Sequence, residues 1–425
     1  MESSESLKSL EKSGASESSG FCDTDFCFDT LCVQGNLNGK SKGCGSLPQN
    51  GKGTEIVRER ALENFYGSVS VPLFQTATYA HYGLGKSTVY DYSRLSNPTR
   101  TILEETVAAL DGAKYGFAFS SGMAAETAFF DMLESGSHVI CSDDIYGGSI
   151  RLFNTIVKKQ GSEITFVDTS KIEEVEKAFR PNTRVIFIET PGNPLMTVTD
   201  IRKMAELAHS RGAILVVDNT FLTAYYQKPL ALGADVVIQS GTKFLAGHND
   251  TLAGFVTTNS EKIADDMTFI TKTTGSMLSP FDCWLTLRGI KTLTVRMERQ
   301  SENAAKLARY LKTEKKVKKV VYIGLPETPG YEVHKSQTTG FGSMISIYLD
   351  SNKTVENLLR KIRVFQYAES LGGVESLITY PLTQTHSEIP PEEGEKKGIT
   401  DTLVRISVGI EGFEDLKNDI KQALE

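Results

Sequence analysis

Lys243 is the residue whose surroundings most strongly suggest chemistry. It follows a β-branched apolar run at residues 236–238 and stands in a turn of small and hydroxylated residues, with Ser240, Gly241 and Thr242 directly before it. A lysine amine can hold an aldehyde as a Schiff base, and the hydroxyls of Ser240 and Thr242 can donate to a phosphate. The pattern favours pyridoxal phosphate as a cofactor, although a surface lysine after a buried strand would look the same.

Three further segments carry groups suited to that cofactor. Ser121, Gly122 and Met123 form a small-residue turn that opens a helix, where backbone N–H groups and the helix dipole can hold a phosphate dianion. Asp218 ends an apolar run, and a pyridinium nitrogen would supply the cation that a buried carboxylate requires. Tyr146 follows a polar turn and could stack on an aromatic ring. Each segment alone is also compatible with an ordinary structural role.

These residues follow predicted strands, and in a parallel sheet the carboxyl ends of the strands share one edge. Strand-like and helical patterns alternate along the chain, which indicates an α/β fold with a mostly parallel sheet covered by helices. Asn97 and Pro98 mark the start of one helix and Gly112 its end. The predicted strands are residues 139–141, 164–167, 184–188, 213–217 and 236–238, and the predicted helices include 172–179, 201–211 and 292–312.

We divide the chain into three parts. Residues 1–65 are predicted to be a tail and an N-terminal arm, with disorder over 1–28 and low order over 36–54. These two stretches are rich in Ser, Gly, Lys and acidic residues and lack regularly spaced apolar residues. Residues 66–288 form the predicted cofactor-binding domain. Residues 289–425 form a smaller α/β domain, with strand-like stretches at 343–348 and 404–408.

The composition argues against several classes of protein. The 425 residues are 40% hydrophobic and 23% charged, with a formal net charge of -7, which disfavours binding to nucleic acid or to a membrane surface. No apolar run reaches the length of a membrane span, and the acidic N-terminus resembles no targeting peptide. The spacing of Cys22, Cys27, Cys32 and Cys44 matches no metal site, so we expect free thiols in a cytoplasmic protein.

The chain resembles the transsulfuration, or Cys/Met metabolism, family of pyridoxal-phosphate enzymes from about residue 66 to its C-terminus. The family includes cystathionine γ-synthases, cystathionine γ- and β-lyases and O-acylhomoserine sulfhydrylases. Seven ordered segments carry the resemblance: 91–100 (DYSRLSNPTR), 120–125 (SSGMAA), 144–148 (DIYGG), 189–194 (ETPGNP), 217–221 (VDNTF), 240–250 (SGTKFLAGHND) and 368–376 (AESLGGVES).

The resemblance implies a fold-type I architecture with a seven-stranded sheet, and a homotetramer built from tight dimers. Tyr92 and Arg94 would then reach the cofactor phosphate of the neighbouring subunit, a role that suits the bidentate guanidinium. By the same match, Asn193 would touch the ring hydroxyl. Arg405 and Ser370 would bind the substrate α-carboxylate.

The resemblance also implies small amino-acid substrates, with Lys243 as the proton-moving base and Tyr146 as a second acid or base. Glu369 and Asp91 match acidic residues that face a distal ammonium group, as in cystathionine or incoming cysteine. These features favour γ-replacement, which forms cystathionine from an O-acylhomoserine and cysteine, or homocysteine if sulfide is the nucleophile. Cleavage of cystathionine by a γ- or β-lyase is the alternative, and a catalytically silent relative is the non-enzymatic one. No metal is expected to take part.

Overall fold

A computed structural model describes residues 27–34, 68–387 and 391–425. Of the predicted disorder over residues 1–28, residues 1–26 lie outside the described parts, as does the predicted low-order patch at 36–54, whereas Phe28 is the first residue of a helix. Helix α1 (Phe28–Gln34) was not expected. Leu31 and Cys32 of this helix are buried in the same apolar cluster as residues of the cofactor-binding half, and Phe28 packs on Tyr225 with ring centroids 5.4 Å apart. The N-terminal arm is therefore anchored at this helix.

The larger sheet has seven strands, as the sequence predicted, in the order β1, β7, β6, β5, β4, β2, β3. Neighbouring strands run parallel except β7, which is antiparallel to both β1 and β6. The strands are β1 (Tyr115–Phe119), β2 (His138–Ser142), β3 (Glu163–Val167), β4 (Thr183–Glu189), β5 (Ile214–Asp218), β6 (Val236–Ser240) and β7 (Gly254–Thr258).

Helices cover this sheet, and their ends follow the capping residues. The Asn97 side chain accepts from the N–H groups of Thr99 and Arg100, and Gly112 ends the helix with a left-handed φ of 69°, as predicted. The helices are α2 (Pro98–Asp111), α3 (Gly122–Phe130), α4 (Gly147–Leu152), α5 (Ile172–Ala178), α6 (Ile201–Ser210), α7 (Thr223–Tyr226), α8 (Glu261–Thr274) and α9 (Pro280–Ile290).

Helix α10 (Leu293–Leu311) leads from the larger sheet to a smaller one. The smaller sheet has five strands in the order β10, β11, β12, β9, β8, with its own apolar core. Its strands are β8 (Val317–Val321), β9 (Met344–Leu349), β10 (Gln366–Tyr367), β11 (Leu377–Thr379) and β12 (Leu403–Ser407), and its helices are α11 (Tyr331–Gln337), α12 (Asn352–Lys361), α13 (Pro391–Lys397) and α14 (Phe413–Leu424).

The predicted helices and strands agree with these elements to within about two residues at each end, while short strands were missed. Strand β7 has the sequence GFVTT, in which only two apolar residues stand between a glycine and two threonines, so no apolar run marks it. The start of the predicted second domain, residue 289, falls in the last turn of α9. No helix in the described parts of the chain combines the length and the apolar character needed to cross a membrane.

Candidate active site

Lys243 lies between the two sheets. It stands three residues after the end of β6, and its Nζ donates a hydrogen bond of 2.8 Å to the Ser370 hydroxyl, which belongs to the loop between β10 and β11. Burial lowers the pKa of Lys243 to about 8, with the nearby Arg405 charge acting in the same direction and Glu369 opposing it. A large fraction of the amine is therefore neutral near pH 8 and able to act as a nucleophile or a base.

Arg405 is 1% exposed and converges on the same point from β12. Its Nη1 donates to Asn193 Oδ1 at 2.9 Å, and its Nη2 donates to the Ser370 carbonyl at 3.0 Å and to Thr379 Oγ1 at 3.1 Å. Its Nε is buried without a partner in the described residues. Ser370 adopts a left-handed φ of 89°, a conformation that L residues rarely take. The guanidinium thus fixes the backbone that carries the hydroxyl facing Lys243.

Asp218 is the last residue of β5, and its carboxylate accepts from Thr220 N at 2.8 Å. The Thr220 hydroxyl accepts in turn from Ser240 N at 2.8 Å, so one short chain of bonds joins the carboxylate to the turn before Lys243. Burial raises the pKa of Asp218 to about 6. No cation lies within salt-bridge distance of it among the described residues, which leaves room for a cationic partner.

The start of α3 forms the predicted anion cradle. Ser121 caps the helix by accepting from Ala124 N at 3.0 Å. A side chain at Gly122 would meet Ser240, since its Cβ would lie 2.9 Å from the Ser240 Cβ. Gly122 and Ser240 are therefore in contact, and the first N–H groups of α3 point to the space beside them. Met123 begins the same turn, and the Thr242 hydroxyl is bonded to the Ala253 backbone.

Tyr146 stands at the start of α4 and is 38% exposed. Its backbone N–H donates to Glu189 Oε2 at 2.8 Å, which ties it to the end of β4. Its ring packs closely over Gly148, where an added Cβ would lie 2.4 Å from the ring. Charges on Arg405 and Glu369 both act on its hydroxyl, so Tyr146 belongs to the same site as Lys243.

A cavity of about 800 Å³ opens beside Thr242 and Ser370, which adjoin Lys243 in sequence and by hydrogen bond. It is lined by residues of the turn after β6, the loop before α9 and the loop that carries Ser370. Glu369 is exposed on its wall, and its negative charge acts on Lys243, Tyr146 and Arg405. Glu369 can therefore face a cationic end of a small molecule in the cavity, while Arg405 contacts the cavity wall through the Ser370 carbonyl.

In the single chain, the side-chain contacts of three predicted site residues lie away from Lys243. Tyr92 is exposed, and the Arg94 guanidinium lies 5.5 Å from its ring and donates to the Lys272 carbonyl at the end of α8. Asp91 accepts from Ser87 and lies 3.3 Å from His81 Nε2. Their assignment to a neighbouring subunit stays a prediction.

The sequence reasoning missed two residues of the site. Thr220 links Asp218 to Ser240, and the Asp-Asn-Thr turn that holds it was a usable signal, since an aspartate commonly accepts from the N–H two residues later. Glu126 is 3% exposed in α3, and the signal was a carboxylate within a run of small and apolar residues.

Pyridoxal phosphate fits this arrangement on three grounds. Asp218 lacks a cation, the start of α3 offers free N–H groups beside Ser240, and Lys243 is held with a lowered pKa between them. The ring nitrogen would face Asp218 and the phosphate would lie at Gly122. Asn193 has its Oδ1 occupied by Arg405, which leaves its amide nitrogen for the ring hydroxyl.

The lowered pKa of Lys243 makes a prediction for the cofactor-free protein. Because the neutral amine is the reactive form, the rate of cofactor uptake should rise about tenfold between pH 6.5 and 7.5 and level off above about pH 8. Stopped-flow absorbance across pH 6 to 10 measures this rate. A rate that keeps rising to pH 10 would show that the lysine has its ordinary pKa.

Known proteins share both the sequence and the fold. Cystathionine γ-lyase of Bacillus subtilis is 50% identical over 359 residues, which cover 84% of this chain and 95% of that protein. Cystathionine β-lyase of Lactococcus lactis subsp. cremoris is 48% identical over 359 residues, covering 84% and 94%. A crystal structure of cystathionine γ-synthase from Xanthomonas oryzae, in complex with aminoacrylate and cysteine, matches with a TM-score of 0.86 and 35% identity, covering 94% and 98%.

The family model described as Cys/Met metabolism PLP-dependent enzyme matches residues 53–425, which include every group that surrounds Lys243. The expected fold-type I architecture and cofactor are thereby confirmed. With its lysine, aspartate and helix-start cradle at one sheet edge, this chain belongs to the Cys/Met metabolism family of pyridoxal-phosphate-dependent enzymes, which includes the cystathionine synthases and lyases.

Proposed function

We propose that this enzyme catalyses γ-replacement, forming cystathionine from an O-acylhomoserine and cysteine. The observation that carries the proposal is the position of Glu369, on the wall of the cavity and directly before Ser370, to which Lys243 donates. A carboxylate there suits a substrate with a second ammonium group remote from the reacting carbon. Cysteine as nucleophile and cystathionine as product both carry such a group.

In this reaction, substrate binding and proton transfer are assigned to different residues. Arg405 binds the substrate α-carboxylate, helped by the Ser370 backbone that it positions. Bound pyridoxal phosphate supplies an electron sink for charge developing at Cα. Lys243 would remove the Cα proton, release it to the electron-accepting cofactor and, neutral again, take a Cβ proton, a role that its pKa of about 8 supports. Tyr146, whose hydroxyl is within reach of the Glu369 and Arg405 charges, exchanges a proton with the leaving group.

A substrate panel tests the proposal. Purified enzyme is incubated with O-acetyl-, O-succinyl- and O-phosphohomoserine plus cysteine or sulfide, and separately with cystathionine, with products identified by mass. We expect cystathionine from at least one acylated substrate plus cysteine. Rapid consumption of cystathionine, with none formed from any acylated substrate, would reject γ-replacement.

Cleavage of cystathionine is the second candidate, and the identities of 50% and 48% to a γ-lyase and a β-lyase favour it. A lyase can use the same lysine, arginine and Glu369. The thiol product distinguishes γ-cleavage from β-cleavage, since a γ-lyase releases cysteine and a β-lyase releases homocysteine.

We also infer that the enzyme works as a homotetramer built from dimers, in which Tyr92, Arg94 and Asp91 complete the neighbouring site. Support comes from the segment at residues 68–96, where Val69, Tyr82 and Leu84 expose most of their apolar surface. A second copy of the chain would cover it. The free thiols of Cys27, Cys32, Cys141 and Cys283 are compatible with a reducing, cytoplasmic location, which fractionation of cells tests.

Subunit complementation checks the shared site. Arg94→Ala and Lys243→Ala chains should each be inactive alone, because one lacks the phosphate clamp and the other lacks the base. Co-expressed with different tags and purified as mixed dimers, they should recover about half of the activity per dimer, since one of the two sites then has both groups. If Arg94 acted within its own chain, the two sites of the mixed dimer would each lack one group and no activity would return.

A further inference from the structure

Three carboxyl groups meet beneath the proposed ring position. Asp218 and Glu189 are paired neighbours at the ends of β5 and β4, and the charge of Asp218 acts on Glu126 in the second turn of α3. None has a cation within salt-bridge distance among the described residues. Isolated charges are costly to bury, and like charges at short range add to the cost, so the three groups cannot all ionise.

Hydrogen bonding decides which of them carries the charge. Asp218 accepts from Thr220 N and Glu189 accepts from Tyr146 N, and backbone N–H donors favour the ionised form. Glu126 accepts a bond of 2.9 Å from the Ser149 hydroxyl, and its Oε2 is buried with no partner. Ionising Glu126 is therefore the least favourable choice, because the negative charge would fall on a buried oxygen without a hydrogen bond. The protonated carboxyl group carries no charge and costs less to bury there.

Ser149 connects this group to the reacting end of the site. It lies in the first turn of α4, where its N–H donates to the Tyr146 carbonyl at 3.0 Å. Its hydroxyl donates to Glu126 Oε1, and both residues are almost fully buried. The Glu126 side chain thus touches the helix that Tyr146 precedes, and the charge of Asp218 acts on it.

We propose that Glu126 is a positioning residue that stays protonated in the working enzyme, leaving the negative charge of the cluster on Asp218 and holding α4, with Tyr146, through Ser149. The inference rests on the proposed use of this site, but it is independent of whether the enzyme makes or cleaves cystathionine. The groups that face Glu126 are Asp218 on β5, Glu189 on β4, Cys141 on β2 and Tyr146 with Ser149 on α4.

The cofactor-free protein provides the first readout. Burial, with Asp218 adding to it, raises the pKa of Glu126 from 4.5 to about 8. A raised folded-state pKa gives stability that is complete below pH 4.5 and is lost as pH rises to about 8. Glu126→Gln cannot ionise, so it does not lose this stability as pH rises. The melting temperature of the variant minus that of the wild type should therefore be at least about 2 °C greater at pH 8 than at pH 5.

The second readout compares two variants at the same position. Glu126→Ala leaves the buried Ser149 hydroxyl without its acceptor and should lower kcat at least about tenfold with little change in KM. Glu126→Gln keeps an acceptor at Oε1 and should restore most of that activity. Ser149→Ala removes the other end of the same bond and should resemble Glu126→Ala, which keeps the test open if that variant folds poorly. Glu134→Gln, an exposed glutamate after α3, is the matched control.

Two results would overturn the inference. If Glu126→Gln loses as much activity as Glu126→Ala, the enzyme requires an ionised group here. If the melting difference between Glu126→Gln and the wild type does not change with pH, Glu126 does not hold the proton. A wild-type enzyme without activity toward any substrate of the panel would reject the proposed function instead, while the melting experiment would still report on Glu126.

Discussion

Replacing Lys243 with alanine is expected to lower kcat by at least about 10³-fold on every substrate, because the variant loses the group that moves the Cα proton. The same amine is the attachment point for the cofactor aldehyde. The visible absorption band of the bound cofactor should therefore shift or disappear. Absorbance spectroscopy and a coupled assay of the purified variant measure both effects.

The matched control is Lys203→Ala, which removes an exposed lysine of α6 and should leave both readouts unchanged. Melting temperatures should be similar for the two variants, because Lys243 makes one side-chain hydrogen bond, to Ser370. A Lys243→Ala variant that keeps the absorption band and loses less than tenfold in kcat would show that another group carries the chemistry. That result would also favour the alternative that this chain is a catalytically silent member of the family.

Replacing Arg405 with lysine is expected to give the second largest effect, although the charge is kept. The guanidinium donates to Asn193 and to Ser370 and still has its Nε for a ligand, and a single ammonium cannot reproduce that fork. Truncating one partner of a buried, charged hydrogen-bond network costs about 2–5 kcal/mol, equivalent to a loss of roughly 30- to 5,000-fold in kcat/KM.

The loss should fall mainly on KM for amino acids, since Arg405 is proposed to bind the α-carboxylate in every case. Saturation kinetics with Arg299→Lys, an exposed arginine of α10, as the control separate this effect from general damage. A KM unchanged in Arg405→Lys, with kcat alone reduced, would indicate that Arg405 acts only by holding the Ser370 backbone.

The residue pattern was sufficient to place Lys243, Asp218 and the turn at Gly122 at one edge of a mostly parallel sheet, and the family resemblance implied its seven strands. Each ends a strand or opens a helix, and parallel topology puts such positions together. The helix caps at Asn97 and Gly112 could also be predicted, because capping depends on residues that are near in sequence.

Contacts between distant segments were harder to predict. The bond from Lys243 to Ser370 joins the two sheets, and no periodicity in either segment signals it. Glu126 was overlooked because a lone glutamate in a helix is usually solvated, and only the packing of α3 against the sheet buries it. Helix α1 was missed because its seven residues are bordered by segments of polar composition.

The convergence of Lys243 and Arg405 on Ser370 also orders events during synthesis. The segment up to β6 leaves the ribosome long before β12. At a translation rate of about 5–20 residues per second, roughly ten to thirty seconds pass between the synthesis of Lys243 and that of Arg405. During that interval the larger sheet can fold, yet its lysine faces open solvent without Ser370 or Arg405. The nascent chain therefore completes its own share of the cofactor and substrate pocket only after β12 has been translated.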